Sequence, residues 1–203
     1  MQNKKPKIAV VMIVKNESEL LARCLESVKG VDYCYILDTG SEDNTIEIAK
    51  RYTDKVFDDY KWNSSFCEAR NHILNKLKEE HKDENIFCLS LDADEYLVDI
   101  SKILPAVEDA EKRGLLAIDV KLISELERQV HFFPRLFKMS PEVWWEGVAH
   151  NHISVKAGGT SEVEIVYGYS PAHLKNPDRT LNILEKEVEL HHNARETFYL
   201  GRE

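Results

Sequence analysis

The chain has 203 residues, 43% of them hydrophobic and 31% charged, which is the composition of one globular domain with a sizeable core. Its longest apolar run, residues 8–14, is far shorter than the roughly 20 residues of a membrane-spanning helix, and we expect neither a membrane span nor a secretory signal. The formal charge of −9 argues against a broad nucleic-acid-binding face, and four cysteines without a C-x-x-C pair are typical of a reduced, cytoplasmic protein.

The first half of the chain alternates strands and helices. The continuous apolar run at 8–14 predicts a strand covered on both faces, and further strands are predicted at 33–37, 55–57 and 86–91. Between them lie three capping-box patterns, in which Asn16, Asn44 or Ser65 is followed three residues later by a glutamate and then by helical apolar spacing. This alternation predicts a parallel α/β sheet.

The pattern changes to mostly β after residue 99. A helix over 100–113 is followed by predicted strands, which we expect to be antiparallel and folded onto the first half, at 116–123, 129–138, 148–155 and 163–167. Pro177 suits the first turn of a closing helix. We therefore expect one domain over 1–170, with an α/β half (1–99) and a β-rich half (100–170), and then a C-terminal helical segment (171–203) that ends as a truncated segment would.

Distinctive polar groups follow three of the predicted strands. They are Lys-Asn-Glu at 15–17, Asp-Thr-Gly-Ser at 38–41 and Asp-Ala-Asp-Glu at 92–95. Ligands of open parallel sheets bind beyond the carboxyl ends of the strands, so we expect these groups to line one rim. The chain has no Gly-rich phosphate loop, which argues against a nicotinamide Rossmann enzyme and against a P-loop phosphotransferase.

The pair Asp92 and Asp94 puts two carboxylates at the end of a strand. A hard divalent cation such as Mg²⁺ or Mn²⁺ takes ligands of this kind, and it would be able to bridge a diphosphate. The other interpretation is an acidic, solvated turn in which an aspartate caps the next helix. The residues alone leave both interpretations open.

Arg70 falls in the middle of the apolar stripe of the helix that Ser65 opens. A guanidinium group on the inner face of a helix needs a partner. One interpretation is a carboxylate partner or a side chain that extends to solvent, and the other is a side chain that points into a cleft toward a phosphate or a base edge.

Residues 144–152 are the densest aromatic and ionisable stretch of the second half. We expect His150 and His152 on one face of a strand, where they could bind a metal, although such pairs are more often surface or hydrogen-bonded residues. Trp144 and Trp145 could stack on a sugar or anchor the core. Glu146 beside them is a candidate general base.

Four motifs occur in a characteristic order: MIVKNE at 12–17, DTGS at 38–41, a Trp-to-ARN segment over 62–71, and LDADE at 91–95. Together they resemble family 2 glycosyltransferases of the GT-A fold, and most of all a small bacterial and phage branch. The similarity extends through Gly168-Tyr169, Lys175 and Arg179 to Leu184, and it is weak over 100–143. The resemblance implies a Rossmann-like α/β fold with a mixed sheet, flanking helices, a nucleotide-binding half at 1–99 and a smaller β-rich acceptor half.

The same resemblance implies a reaction and its partners. A sugar would pass, with inversion, from a nucleoside-diphosphate sugar, a UDP-sugar being favoured, to a hydroxyl of a glycan, lipid or protein, without nucleic acid and without an integral membrane segment. A Mn²⁺ or Mg²⁺ cofactor would act as a Lewis acid on the leaving diphosphate. The implied nucleotide-sugar-binding residues are Val14, Asn16, Glu17, Asp38, Arg70, Asp92 and Ala93. Asp94 is implied as a catalytic residue and, with Asp92 and His150, as a metal ligand.

Two departures from the family pattern affect the expected site. Relatives often read G-x-x-H-E where this chain has Asn151 after His150, so the glutamate base is absent and Glu146 becomes its nearest substitute. The residue directly before Gly168 is not a histidine, as it often is in relatives, so the third metal ligand is expected to be His150, His173 or water. The altered motif keeps a non-catalytic sugar-nucleotide or glycan-binding module as an alternative. A nucleotidyltransferase is a further alternative, although such enzymes usually have a Gly-rich basic loop after the first strand.

Overall fold

The computed structural model describes residues 5–168, 178–191 and 194–202. The strands within these ranges are β1 Lys7–Val14, β2 Tyr33–Asp38, β3 Val56–Phe57, β4 Ile86–Ser90, β5 Glu95–Leu97, β6 Ala117–Ser124, β7 Val130–Lys138, β8 Trp145–Glu146, β9 His152–Ile153 and β10 Thr160–Tyr167. The helices are α1 Leu21–Ser27, α2 Thr45–Ala49, α3 Phe66–Glu80, α4 Ile103–Lys112, α5 Arg179–His191 and α6 Ala194–Leu200, and a 3₁₀ turn at Ile100–Lys102 leads into α4.

Eight of these strands form one sheet in the order β3-β2-β1-β4-β7-β6-β10-β5, and β8 pairs with β9 separately. The first four strands in this order are parallel, as predicted. Strand β7 then pairs antiparallel with β4 and with β6, whereas β6 and β10 are parallel. The expected antiparallel arrangement of the second half is therefore confirmed for every described pairing except that of β6 with β10. The expectation that this half folds onto the first is wrong, because its strands continue the same sheet.

The core occupies both faces of this sheet, because alternate residues of β1 point to opposite sides. Val10, Met12 and Val14 pack in a cluster with Leu21 and Leu25 of α1. On the other face, Ala9 and Val11 pack in a second cluster with Ala69, Ile73, Leu74 and Leu77 of α3. Both faces of β1 are covered, which explains why its sequence is continuously apolar instead of alternating.

Only one of the three predicted capping boxes forms as expected. The side chain of Ser65 accepts a hydrogen bond from the backbone N–H of Glu68 at 3.3 Å and caps α3. Helix α1 begins only at Leu21, and Asn44 precedes α2 without a side-chain cap bond. Asn16 has a left-handed backbone (φ 56°) and its Oδ1 accepts the N–H of Glu42 at 2.8 Å, so the prediction of a cap at Asn16 is wrong.

The region after residue 140 also differs from the prediction. Of the strand expected at 148–155, only His152–Ile153 pairs, so His150 and His152 do not share the face of one strand. The predicted helix at 100–113 is confirmed as α4 with its 3₁₀ turn, whereas Pro177 lies outside the described residues. None of the described helices has the length and the hydropathy needed to cross a lipid bilayer.

Candidate active site

A cavity of about 810 Å³ opens beyond the carboxyl ends of β1 and β4. These strands are neighbours in the sheet, and the chain leaves β1 for β2 on one side and later returns to β4 on the other. Crevices of this kind, where the strand order reverses, are the usual ligand sites of open α/β sheets. The volume lies in the range of pockets that hold small molecules and cofactors.

Most of the predicted site residues meet at this cavity. Its wall includes Val14, Asn16, Glu17, Arg70, Asp92, Ala93, Asp94 and His150. The structure thus brings residues of all four motifs together, including the three polar groups that the rim argument placed at one edge. Asp38, Trp144 and Glu146 are the described candidates that it does not bring to the cavity wall.

Asp38 instead shapes the loop that follows β2. Its buried carboxylate accepts the backbone N–H groups of Gly40 and Ser41, both at 2.9 Å, and also the hydroxyl of Ser41. The Ser41 hydroxyl oxygen in turn accepts the N–H of Asn16 at 2.8 Å. Asp38 therefore holds the loop that positions Asn16, and Thr39 is the residue of this loop that lines the cavity.

The loop after β1 is held by the loop after β2. Besides the bonds of Asn16, the N–H of Glu17 donates to the hydroxyl of Thr45 at 2.7 Å. These bonds satisfy backbone groups that follow the end of a strand, and they fix Asn16 and Glu17 at the cavity wall. The position of the Asn-Glu pair after β1 is thus set by hydrogen bonds within the protein.

Arg70 lies beside Asp92 at the end of β4. Its guanidinium group donates to Asp92 Oδ1 at 2.5 Å and to the Ser90 hydroxyl at 3.1 Å, and it lies over the ring of Trp145 with 4.9 Å to the centroid. The interpretation with a carboxylate partner is therefore confirmed. Arg70 also lines the cavity, so the same side chain forms part of the ligand wall.

A second arginine, Arg135 of β7, completes a network of four charged side chains. It donates to Asp92 Oδ2 at 3.3 Å and to Glu95 Oε1 at 2.8 Å, while the other oxygen of Glu95 accepts the N–H of Asp92 at 2.8 Å. Sequence reasoning missed Arg135. The available signal was an arginine within the apolar run Phe132 to Phe137.

The network separates the two carboxyl groups in their pKa. Desolvation would raise the pKa of Asp92, but the guanidinium groups of Arg70 and Arg135 outweigh it and hold this pKa below the ordinary value. Burial raises the pKa of Glu95 to about 7, although Arg135 opposes the increase. Asp92 is therefore a carboxylate at neutral pH, whereas Glu95 gains and loses its proton close to neutral pH.

The same contacts test the predicted metal ligands. Both carboxylate oxygens of Asp92 accept from arginines, so Asp92 does not fit the ligand role predicted for it. Asp94 and His150 do line the cavity, and the His150 ring stacks on Tyr199 with 4.2 Å between centroids. Within the described residues no group of three His, Cys, Asp or Glu side chains forms a complete metal site, and His173 lies outside them. Mg²⁺ is often bound by one carboxylate together with substrate phosphates, and Asp94 fits that arrangement.

Glu146 faces away from the cavity because side chains alternate along β8. The side chain of Trp145 packs in the core and lines the cavity, so its neighbour Glu146 points outward. There Glu146 accepts the indole N–H of Trp144 at 3.0 Å and lies 3.5 Å from Nε2 of His152. This position does not suit the predicted general base, since a base must reach the acceptor hydroxyl.

The C-terminal helices supply a wall that sequence reasoning did not predict. Arg179 and Thr180 of α5, and Arg195 and Tyr199 of α6, line the cavity. In the sequence, Arg179 is marked only by the family resemblance, and Arg195 lies in no motif. Their contribution depends on contacts with residues far away in the sequence, such as Phe66 for Arg179 and His150 for Arg195, which local patterns do not report.

Comparisons with known proteins agree with this architecture. The family model "Glycosyl transferase family 2" matches residues 9–159. The structure of S. aureus TarS residues 1–349 in complex with UDP has a TM-score of 0.60 at 13% identity, covering 88% of this chain and 63% of that one, which shows a shared fold.

Curated relatives also match in sequence. The SPbeta prophage-derived glycosyltransferase SunS of Bacillus subtilis is 28% identical over 220 aligned positions, covering 98% of this chain and 49% of that protein. A TPR repeat-containing protein of Synechococcus elongatus is 40% identical over 92 residues, covering 45% of this chain and 21% of that protein. The chain thus spans about half the length of one relative and about a fifth of the other. With a GT-A-like mixed sheet and a family model that covers most of its residues, the chain belongs to glycosyltransferase family 2.

Proposed function

We propose that the protein transfers a sugar from a nucleoside-diphosphate sugar, a UDP-sugar being favoured, to a hydroxyl group of an acceptor. The observation that carries the proposal is the cavity over the ends of β1 and β4, which gathers the Asn16-Glu17 loop and the Asp92-Ala93-Asp94 motif. The choice of a UDP-sugar is supported by the TarS structure, which contains UDP and shares the fold of this chain.

In this proposal the first half of the chain binds the donor. Val14, Asn16 and Thr39 form the part of the wall nearest β1 and β2 and would contact the nucleoside. The ion pairs of Asp92 with Arg70 and Arg135 fix the floor beside it. A floor that is rigid before binding lowers the entropic cost of ordering the donor.

Asp94 is the side chain that we propose to hold a divalent cation together with the diphosphate of the donor. A bound Mn²⁺ or Mg²⁺ would supply Lewis-acid stabilisation of the leaving diphosphate. Asp94 is 9% exposed and lines the cavity, so its charge acts in a partly dehydrated site. His150, on the opposite loop, is a second candidate ligand.

The acceptor hydroxyl needs a base within hydrogen-bond reach for an in-line, inverting attack on the sugar. Glu17 is a carboxylate of the cavity wall that the metal site does not use, and it replaces Glu146 as the candidate for this role. We propose a glycan, lipid or protein as the acceptor and a reducing, cytoplasmic setting, which the four free cysteines support.

The first test is thermal stabilisation of the chain by UDP, GDP, dTDP and CMP and their sugar conjugates, each with Mn²⁺, Mg²⁺ or a chelator. A ligand that binds only the folded state raises its melting temperature. We expect one nucleotide to stabilise the protein and a divalent cation to increase the effect. Asp94→Asn is expected to abolish the increase due to the cation and to leave the fold intact.

Asp109→Asn is the matched control, because Asp109 is an exposed aspartate of α4 outside the cavity. Failure of every nucleotide to stabilise the wild-type protein would contradict the proposed function. An unchanged cation effect in Asp94→Asn would contradict the role of Asp94. Donor binding without release of nucleoside diphosphate in any acceptor assay would instead favour the non-catalytic binding module.

A further inference from the structure

Helices α5 and α6 form a wall of the cavity although they lie beyond residue 159, where the match to the family model ends. Helix α5 is anchored by Ile183 and Leu184, which are buried. Its first turn therefore meets the cavity at a defined place. The residue of this turn that carries a charge to the wall is Arg179.

Arg179 lies over the crevice between β1 and β4. Its electrostatic neighbours are Glu17, which follows β1, and Asp92 and Asp94, which follow β4. Burial lowers the pKa of the Arg179 guanidinium below its ordinary value, and these three carboxylates oppose the decrease. Arg179 is thus a half-buried cation that faces the same space as the acidic groups of the site.

A ring holds the Arg179 guanidinium in place. The group lies over Phe66 with 5.1 Å to the ring centroid. Phe66 itself is fixed, because its N–H donates to the Val148 carbonyl at 2.8 Å and its ring meets Trp62 edge-on at 5.0 Å between centroids. Stacking on an aromatic face orients a guanidinium plane without using its N–H donors.

The other cavity arginines already have acceptors for their guanidinium N–H groups. Arg70 and Arg135 are paired with Asp92, and Arg195 donates to the backbone carbonyl of His150. Across the described residues, no carboxylate lies within ion-pairing distance of Arg179 (4.0 Å). A half-buried cation without a carboxylate partner among the described residues is stabilised when a ligand brings negative charge beside it.

A diphosphate would supply those acceptors. It brings several negative charges into a cavity whose wall already carries Glu17, Asp92 and Asp94, so their repulsion must be offset at the same place. Arginine is the side chain best matched to phosphate oxygens, because its planar fork donates two parallel hydrogen bonds. We propose that Arg179 binds the diphosphate of the nucleotide-sugar donor, so that α5 completes the donor site. The proposal rests on the proposed function and names a further binding residue for it.

The test compares ligands that differ only in phosphate. Binding of UDP, UMP and uridine to the wild-type protein, Arg179→Gln and Arg179→Lys is measured by calorimetry, with the guanosine series if GDP is the nucleotide that binds. Arg179→Gln should weaken UDP binding by about 10- to 100-fold and change uridine binding less than about twofold. Arg179→Lys should give an intermediate loss, because a lysine keeps the charge and loses the planar fork.

Lys186→Gln is the matched control. This substitution removes one positive charge from an exposed position of the same helix, outside the cavity. It should leave all three affinities unchanged. Equal losses for UDP and uridine in Arg179→Gln, or an unchanged affinity for UDP, would overturn the inference while the proposed function stands. If the wild-type protein binds no nucleotide, the proposed function fails and the inference fails with it. Should Arg179→Gln not fold, Arg179→Lys decides the question by the same comparison of UDP with uridine.

Discussion

Asp92 and Glu95 are three residues apart and share Arg135, yet their protonation differs at neutral pH. Asp92 has two guanidinium partners, whereas Glu95 is 4% exposed and has one. The balance between burial and paired charge therefore differs between them. This explains why the pKa of Asp92 is lowered and the pKa of Glu95 is raised to about 7.

The raised pKa of Glu95 predicts a pH dependence of stability. Between the ordinary pKa of 4.5 and about 7, the folded protein keeps a proton that the unfolded chain has released. The contribution of Glu95 to the free energy of unfolding therefore falls as the pH rises through this window. Glu95→Gln removes the titration, so its stability relative to the wild-type protein should increase between pH 4.5 and 7, as measured by urea unfolding at several pH values.

Glu26→Gln is the control for this experiment, since Glu26 is an exposed glutamate of α1. Its stability difference from the wild-type protein should stay nearly constant over the same range. A constant difference for Glu95→Gln as well would show that folding does not raise the pKa of Glu95.

Helix α3 shows how a local element positions the site. Ser65 caps the helix, and Ala69, Ile73 and Leu74 bury one face against the sheet. That packing sets the rotation of the helix and turns Arg70, on the same face, toward Asp92. The start of α3 is therefore coupled to the position of a cavity side chain.

Removing the cap tests the contribution of this helix end. Ser65→Ala deletes the acceptor for the N–H of Glu68 and should lower the free energy of unfolding by about 1 kcal/mol. Asn44→Ala is the matched control, because Asn44 precedes α2 without a side-chain cap bond, and its effect should be smaller. Chemical denaturation of the three proteins decides, and equal losses in both variants would mean that the Ser65 bond contributes nothing.

Elements with a strong local signal were predictable from the sequence. The buried strands of the parallel half have continuous apolar runs, and the Ser65 cap has both of its residues in place. Asn16 has the same local pattern, but its side chain bonds across to the loop after β2, which local reasoning does not detect. Strands β8 and β9 have two residues each, too few for a period to appear.

The residues of the site also fall into two groups, those that local sequence patterns predict and those that they do not. Its motif residues after β1 and β4 were predictable, because the carboxyl ends of parallel strands meet at one rim. Arg135 and Arg179 reach the cavity through contacts between distant segments, and Glu146 is turned away by the pairing of β8 with β9. Such placements depend on register and packing, which a single sequence does not specify locally.

At the scale of the whole molecule, the two halves share one sheet through the pairing of β4 with β7. Phe137 lies at this junction opposite Cys88, is fully buried, and packs edge-on against Trp145 at 5.9 Å between ring centroids. A side chain at such a junction stabilises both halves together. The first half should not remain folded when the second half is lost.

Phe137→Ala should therefore destabilise the whole molecule by about 3–5 kcal/mol, the usual cost of emptying a buried phenylalanine site. We expect a single unfolding transition in which the amides of β1 and those of β6 lose their protection from hydrogen exchange by the same amount, because both strands belong to one cooperative sheet. Phe132→Ala in the same strand is the control, since Phe132 is 50% exposed and its removal should cost much less. Loss of protection in β6 without loss in β1 would contradict the shared sheet as a folding unit and would show that the second half unfolds separately.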